Sequence, residues 1–295
     1  EKLVVLARTP ASGSGDVIAT CRDEAQGGAR QLGDEFRVKM LTASLEAGAD
    51  YVDFEFEKFH DVLCEEMILA LRDEKKPARL ILSHHNFESG FRDINALCQQ
   101  IADLYHDAIP KLVYTAGDIN DCFEAFDLLH ESEHETIAIA MGREGVISRI
   151  LAKKLGGFLT FAAPDETSGT GPGQLTIRQM KGFYRYDSID ERTRLFGIIG
   201  SPVAHSMSPA VHNGCFAAEG LNCLYLPLHV KDRDSFGRFM DNVLARQWLD
   251  FGGFSVTLPH KHNALEFVEE KGGFVDPLAR KIGAANTVII GDDGR

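Results

Sequence analysis

Positive charge is scarce in this sequence. Lys and Arg number 31 against 44 Asp and Glu, giving a net charge of −13 at pH 7. A phosphate backbone needs a basic face, so nucleic acid is not the expected partner. A small anionic substrate would have to be gripped by a few local cations against an unfavourable overall field. Long apolar runs are missing too: none reaches the roughly 20 residues of a membrane helix, and no membrane partner is expected. The opening Glu1-Lys2-Leu3-Val4-Val5-Leu6 has too short an apolar stretch for a secretory signal, and no cleavage site follows it. The six cysteines (Cys21, Cys64, Cys98, Cys122, Cys215, Cys223) include no C-x-x-C pair. That points away from metal and disulfides, toward buried reduced thiols in a cytosolic-type compartment. Internal repeats and low-complexity tracts are absent. So is an initiator methionine, which suggests that the chain starts inside a longer one.

What is present reads as a globular protein of ordinary make-up, with 44% hydrophobic and 25% charged residues. Its 295 residues allow two domains or one large barrel. From residue 17 to about 180, short apolar runs alternate with longer amphipathic stretches. Strands are expected at 17–22, 51–56, 79–85, 111–116, 136–141 and 158–163. Helices are expected at 34–47, 92–106, 119–130 and 145–155, with Gly48 and Gly156 as helix stops. Strict alternation argues for a parallel sheet with helical crossovers. Polar residues recur at strand C-termini (Arg22, Glu55, His84, His85, and Arg143 shortly after a strand), which favours an incomplete TIM-type (β/α) barrel over a doubly wound sheet. Lys111 is the exception, opening its strand.

Residues 184–194 are polar and aperiodic and read as a linker. A second α/β pattern follows: strands at 195–200, 225–230, 254–258 and 285–290, with helices at 208–220, 232–247 and 259–271. The chain ends on a hairpin-type turn, so its C-terminus also reads as truncated. The expected domains are 1–186, a linker at 187–194, and 195–295.

Several residues carry potential chemistry. Lys111 stands between Pro110 and Leu112-Val113. A lysine buried in a barrel holds its charge poorly, and a neutral amine can attack a ketone to give an iminium electron sink; on spacing alone, the plainer reading is a surface lysine at a strand start. His84-His85 ends a strand and could move protons near neutrality, or could be a pair of loop histidines. Arg22 and Arg149 could each grip a carboxylate. The flexible Thr170-Gly171-Pro172-Gly173-Gln174 looks like a lid loop or any exposed turn. In the second half, Ser206 and Ser208 flank a helix start suited to a small anion, or merely cap it. Lys261 is an acid/base candidate or a solvated lysine.

Taken in order, Thr20-Cys-Arg22 with Gly27-Gly28, Ser83-His-His-Asn-Phe-Glu88, Ile109-Pro-Lys-Leu112, Gly145-Val-Ile-Ser-Arg149 and Gly171-Pro-Gly-Gln174 resemble the type I 3-dehydroquinate dehydratases. The resemblance implies that Lys111 forms a Schiff base with the ketone of 3-dehydroquinate and that His85 is the general acid/base. Arg22, Glu55, Arg149, Thr170 and Gln174 would contact substrate, with no cofactor. There are departures. Gln26 stands where that family has Glu, Thr170 where it has Ser, and the family's first two strands have no counterpart.

Gly197–Asn213, Gly253–Lys261 and Gly283–Thr287 closely resemble the substrate-binding lobe of shikimate dehydrogenases, with Ser255 where many relatives have Asn. This implies that Ser206 and Ser208 bind the shikimate carboxylate. Thr257, Lys261 and Asn286 would meet the ring hydroxyls, with Lys261 the acid/base. NADP would serve the full-length dehydrogenase. This chain has no Gly-x-Gly-x-x-Gly, so no NADP binding is expected of it. The order of the domains resembles the bifunctional dehydratase–dehydrogenases of the shikimate pathway, located in the cytoplasm or, in a plant, the plastid. A ligand-sensing repressor-like relative and a quinate-preferring dehydrogenase remain open alternatives. The sequence fixes no oligomeric state.

Overall fold

The computed structural model describes residues 15–291 except 76, 168, 170, 172 and 204, and not the side chain of Asp61. The expected start at Leu3–Leu6, the end beyond Gly291 and Thr170 therefore lie outside the described residues. The chain divides into two compact units, Glu1–Thr115 with Glu131–Ala138, and Ala116–His130 with Ile139–Arg295.

The first sheet has five strands in chain order: β1 (Ile18–Thr20), β2 (Tyr51–Glu55), β3 (Arg79–Asn86), β4 (Ile109–Thr115) and β5 (Ile137–Met141). The β1–β2, β2–β3 and β3–β4 ladders are parallel, so the α/β expectation holds. Helices α1 (Asp34–Glu46), α2 (Asp61–Leu71) and α3 (Ile94–Leu104) make the crossovers of the first unit. Asp93 starts α3 by accepting from the Ala96 N–H.

Side chains alternate across a strand, and here the alternation separates core from chemistry. Val52, Phe54, Leu80, Leu82, Leu112 and Tyr114 are buried on one face. The registers Thr20↔Asp53, Glu55↔Ser83 and Ser83↔Lys111 align the polar residues on the other.

Four expectations need correction. The segment 158–163 is not a strand: Ala163 alone is bridged, to Thr176. A strand exists only through a neighbour's ladder, so an apolar run does not secure one. Helix α2, absent from the expected helices, fills the gap between β2 and β3. Lys111 does not open its strand, since β4 begins at Ile109 and places Lys111 third. Not all cysteines are buried: all six are free, but Cys215 is exposed and Cys21 and Cys223 are half-buried.

The second unit contains α4 (Cys122–Glu131), α5 (Val146–Leu151) and a four-stranded sheet. Its strands are β6 (Arg194–Gly200), β7 (Cys223–His229), β8 (Phe251–Val256) and β9 (Thr287–Ile289), in the order β7-β6-β8-β9. β6 pairs in parallel with both β7 and β8, and β9 is antiparallel to β8. Helices α6 (Ser208–Ala218), α7 (Arg233–Ala245), α8 (Lys261–Glu270) and the unforeseen α9 (Pro277–Ile282) complete it. Phe236, Phe239, Phe251 and Phe254 form much of its core. Among the described residues, no helix is long and apolar enough to cross a membrane.

Helix α4 is fastened to α7 and the turn after it. Arg246 grips Asp127 with both nitrogens (2.5 and 2.6 Å), and Trp248 stacks on His130 at 3.9 Å. Asn120 donates to the Ser235 carbonyl at 3.1 Å. A bidentate, half-buried pair of this kind is stronger than an exposed one. A double-mutant cycle with Asp127→Ala and Arg246→Ala, read by urea unfolding, should give a coupling of about 1 kcal/mol; additive losses would show the pair to be inert.

Candidate active site

The polar face of the first sheet carries a buried network of charge. Lys111 is 6% exposed, and its Nζ lies 2.6 Å from Asp53 Oδ2. Arg22, two residues past β1, reaches the same oxygen at 2.6 Å and Glu55 Oε1 at 2.9 Å. Arg37 of α1, fully buried, binds the other Glu55 oxygen, Asp34 (2.8 Å), Asp23 (3.3 Å) and the Cys21 carbonyl. The Asp23 N–H also donates to Glu55. Glu55 thus faces two guanidinium groups and a backbone amide. Burial alone would raise the Asp53 pKa, but Arg22 and Lys111 outweigh it and hold the carboxyl well below its usual range.

His85 stands two residues beyond Ser83 on the same face of β3. Gln26 Oε1 accepts from the His85 backbone N–H and lies 3.1 Å from its Nδ1. Because that amide oxygen is only an acceptor, Nδ1 carries the proton and Nε2 is left as the basic nitrogen. Burial first, then the charges of Lys111 and Arg22, push the His85 pKa down to about 2. The imidazole is therefore neutral. Gln26 itself donates to Glu57 at 3.3 Å. The Gly27-Gly28 pair has a steric reason: a Cβ at Gly28 would sit 2.2 Å from the Arg22 carbonyl oxygen.

Asp53 and Arg37 were missed in the sequence, and Gln26 was noted only as a departure. The signal for Asp53 was there: in Tyr-Val-Asp-Phe-Glu the two acids alternate with two apolar residues, which places both on one face. Arg37 gave no such sign, lying within an ordinary helical stretch.

In the second unit, Arg149 of α5 is 4% exposed, and its buried Nε has no hydrogen-bond partner among the described residues. Burial lowers its pKa to about 10, so it remains a cation at neutral pH. Its Nη2 lies 3.6 Å from the position a Cβ would take at Gly171. Gln174 is half-buried, and its N–H donates to the Gly171 carbonyl at 3.3 Å.

The remaining candidates gather where β7 and β8 flank β6. Such a switch point opens a crevice at the strand C-termini. The Ser208 N–H donates to Ser206 Oγ at 3.2 Å, so Ser206, not Ser208, serves the helix start. Thr257 follows β8, its methyl packed where a Cβ at Gly200 would clash at 2.3 Å. Lys261 opens α8, and its carbonyl accepts from Ala285 at 2.8 Å. Asn286 accepts from the Val256 N–H at 2.8 Å, with its side chain exposed. Backbone bonds thus join the segments bearing Thr257, Lys261 and Asn286. Among the described residues, no group of His, Cys, Asp and Glu is arranged to hold a metal.

These placements fix a pH response. His85 binds protons less readily folded than unfolded, so stability falls as pH drops below about 6.5 and goes on falling toward pH 2. The slope from this group is at most about 1.4 kcal/mol per pH unit. Asp53 acts in the same direction, but only below its unfolded value of 3.8. In urea melts between pH 6.5 and 4.5, His85→Gln should flatten the acid loss; an unchanged slope would show that His85 titrates normally.

Comparison with known proteins accords with this geometry. Residues 3–191 match the type I 3-dehydroquinase family, and residues 198–288 the shikimate dehydrogenase substrate binding domain. A bifunctional 3-dehydroquinate dehydratase/shikimate dehydrogenase, chloroplastic, from Arabidopsis thaliana is 37% identical over 276 residues, covering 92% of this chain and 43% of the relative. A pentafunctional AROM polypeptide from Lachancea thermotolerans is 32% identical, covering 97% of this chain and 17% of its own. The chain thus spans less than half the length of these relatives. A crystal structure of the type I 3-dehydroquinate dehydratase from Clostridium difficile shares the fold, with a TM-score of 0.50 at 21% identity over 57% of this chain and 67% of that one. The chain belongs to the type I 3-dehydroquinase family, with a shikimate dehydrogenase substrate binding domain following in the same polypeptide.

Proposed function

We propose that the first module dehydrates 3-dehydroquinate to 3-dehydroshikimate through a Schiff base on Lys111. The observation that carries this is the buried Lys111 amine on the sheet face that also bears His85, Arg22 and Asp53. Lys111 Nζ, once deprotonated, adds to the ketone carbon, and loss of water leaves an iminium. The iminium draws electrons from the adjacent C–H, His85 Nε2 takes that proton, and an enamine forms. Its electrons return to expel the ring hydroxyl, which leaves as water with the proton His85 holds. A second water hydrolyses the iminium, releasing product and restoring the amine.

His85 is a poor base in the free protein because cations and burial disfavour its charged form. A bound carboxylate adds the missing negative charge, so substrate raises the basicity of the group that acts on it. Arg149 is the candidate carboxylate grip that the family resemblance implies, and its buried Nε has no partner among the described residues. Glu55 holds Arg22 in place. Asp53 Oδ1, also without a partner among the described residues, can accept from a substrate hydroxyl. Gln174 and Thr170 are assigned to the same substrate.

The second module is read as the lobe that binds shikimate or 3-dehydroshikimate. Ser206 and Ser208 take the carboxylate, Thr257 and Asn286 the hydroxyls, and Lys261 the proton. NADP belongs to the full-length relatives. The residues here do not fit that group, since no Gly-x-Gly-x-x-Gly loop exists in this chain to cradle its phosphates. The module boundary is proposed at residues 187–194; the first matched region ends at residue 191 and the second begins at 198.

Borohydride reduction with 3-dehydroquinate should add one ligand mass to the protein, on a peptide containing Lys111, and Lys111→Ala should take none. Reduction without any adduct on Lys111 would sink the Schiff-base reading.

A further inference from the structure

One cluster in the second unit has no part in the chemistry above. His229 is the last residue of β7, and its Nε2 lies 3.1 Å from Ser201 Oγ. Its Nδ1 lies 3.5 Å from Glu144 Oε1. Ser201 is the first residue past β6, at the root of the segment leading to Ser206 and Ser208. The Ser201 N–H also donates to the Leu258 carbonyl at 3.0 Å, beside Thr257. Glu144 stands at the root of α5, one turn ahead of Arg149. Its backbone is closely held: the Glu144 carbonyl accepts from Cys122 Sγ, and a Cβ at the next residue, Gly145, would lie 2.1 Å from the Ala140 oxygen. Gly173 lies against the same loop, with the Gly142 oxygen 2.1 Å from where its Cβ would be.

We propose that His229 is a positioning residue that couples the segment carrying Arg149 to the segment carrying Ser206 and Ser208, so that a carboxylate bound in one module alters the affinity of the other. The inference rests on the functional reading above. Its physical basis is a contact that stands slightly open. At 3.5 Å, Nδ1 and Glu144 are just beyond a formed hydrogen bond, and Nδ1 has no other partner among the described residues. Glu144 is also shared with Arg143 at 3.2 Å and Lys231 at 3.9 Å, and Lys231 reaches the Gly117 carbonyl as well. Burial and then Arg143 lower the His229 pKa, so the ring is neutral and one nitrogen must accept while the other donates. A shift of the Glu144 loop on ligand binding at Arg149 closes or opens the Nδ1 contact. That tilts the imidazole and moves Ser201 with it. By linkage, the effect runs equally in the other direction.

The test uses the whole chain. The protein is trapped with 3-dehydroquinate and borohydride, desalted, and titrated with shikimate by calorimetry beside untreated protein. Trapping should change the shikimate Kd by about fivefold. In His229→Phe and Glu144→Gln, both of which should still trap ligand and bind shikimate, the ratio should fall to one. If His229→Phe fails to fold, His229→Gln and Glu144→Gln supply the same comparison. A ratio of one in the unaltered protein, or a ratio that survives in the variants, overturns the coupling alone. Failure to trap, or to bind shikimate at all, overturns the functional reading and the coupling with it.

Discussion

A single buried carboxylate organises the first module. Asp53 is 2% exposed, and its Oδ2 takes both Arg22 and Lys111 at 2.6 Å. None of these three groups is tolerable there alone, because an unpaired buried charge costs several kcal/mol. Together they fix one another. Lys111 is held on the sheet rather than extending toward water, and Arg22 is drawn down from the end of β1. Glu55 then becomes necessary to share Arg22, and Arg37 to balance Glu55. Asp23 and Asp34 close the set at its wetter rim. Such a network contributes little net stability compared with an apolar core. Its value is positional: it keeps the Lys111 amine and the Arg22 guanidinium beside His85 on one face of a rigid sheet.

Strand parity makes this possible. Parallel registers align odd-numbered positions of β2, β3 and β4, while Val52, Phe54, Leu82 and Leu112 fill the opposite face. A slip of one residue in any ladder would send a charge into that apolar layer. The hydrophobic face therefore determines the register, and the register assembles the site.

Strand parity and local periodicity also separate what is legible in the sequence from what is not. Periodic stretches such as α1, α3 and β3 were readable because burial and local pattern agree in them. Lys111, His85 and Arg22 were named from their ordered neighbours, not from any property of their own. Asp53 was overlooked although its alternation with Val52 and Phe54 marked it. Arg37 could not be found, since a helix-compatible arginine carries no sign of what it will be buried against. The strand expected at 158–163 failed for a related reason: its residues suit a strand, but a ladder depends on neighbours distant in sequence, and only Ala163 is bridged.

In the second lobe the constraint is topological. Placing β7 and β8 on either side of β6 opens the crevice at the strand ends, and the candidate residues sit on the loops that leave it. Loops so placed would wander unless tied. Here they are tied by backbone bonds: Ser201 to Leu258, Val256 to Asn286, and Ala285 to Lys261. Gly200 allows Thr257 to approach within a distance no side chain would permit. The His229 ring belongs to this same set of ties, but it differs in kind. The others are backbone contacts with one satisfied geometry, whereas His229 joins two loops through an aromatic ring whose second contact stands slightly open. A rigid frame with one adjustable tie transmits a displacement where a uniformly rigid or uniformly loose one would not, and this places the coupling at His229 rather than along the sheet.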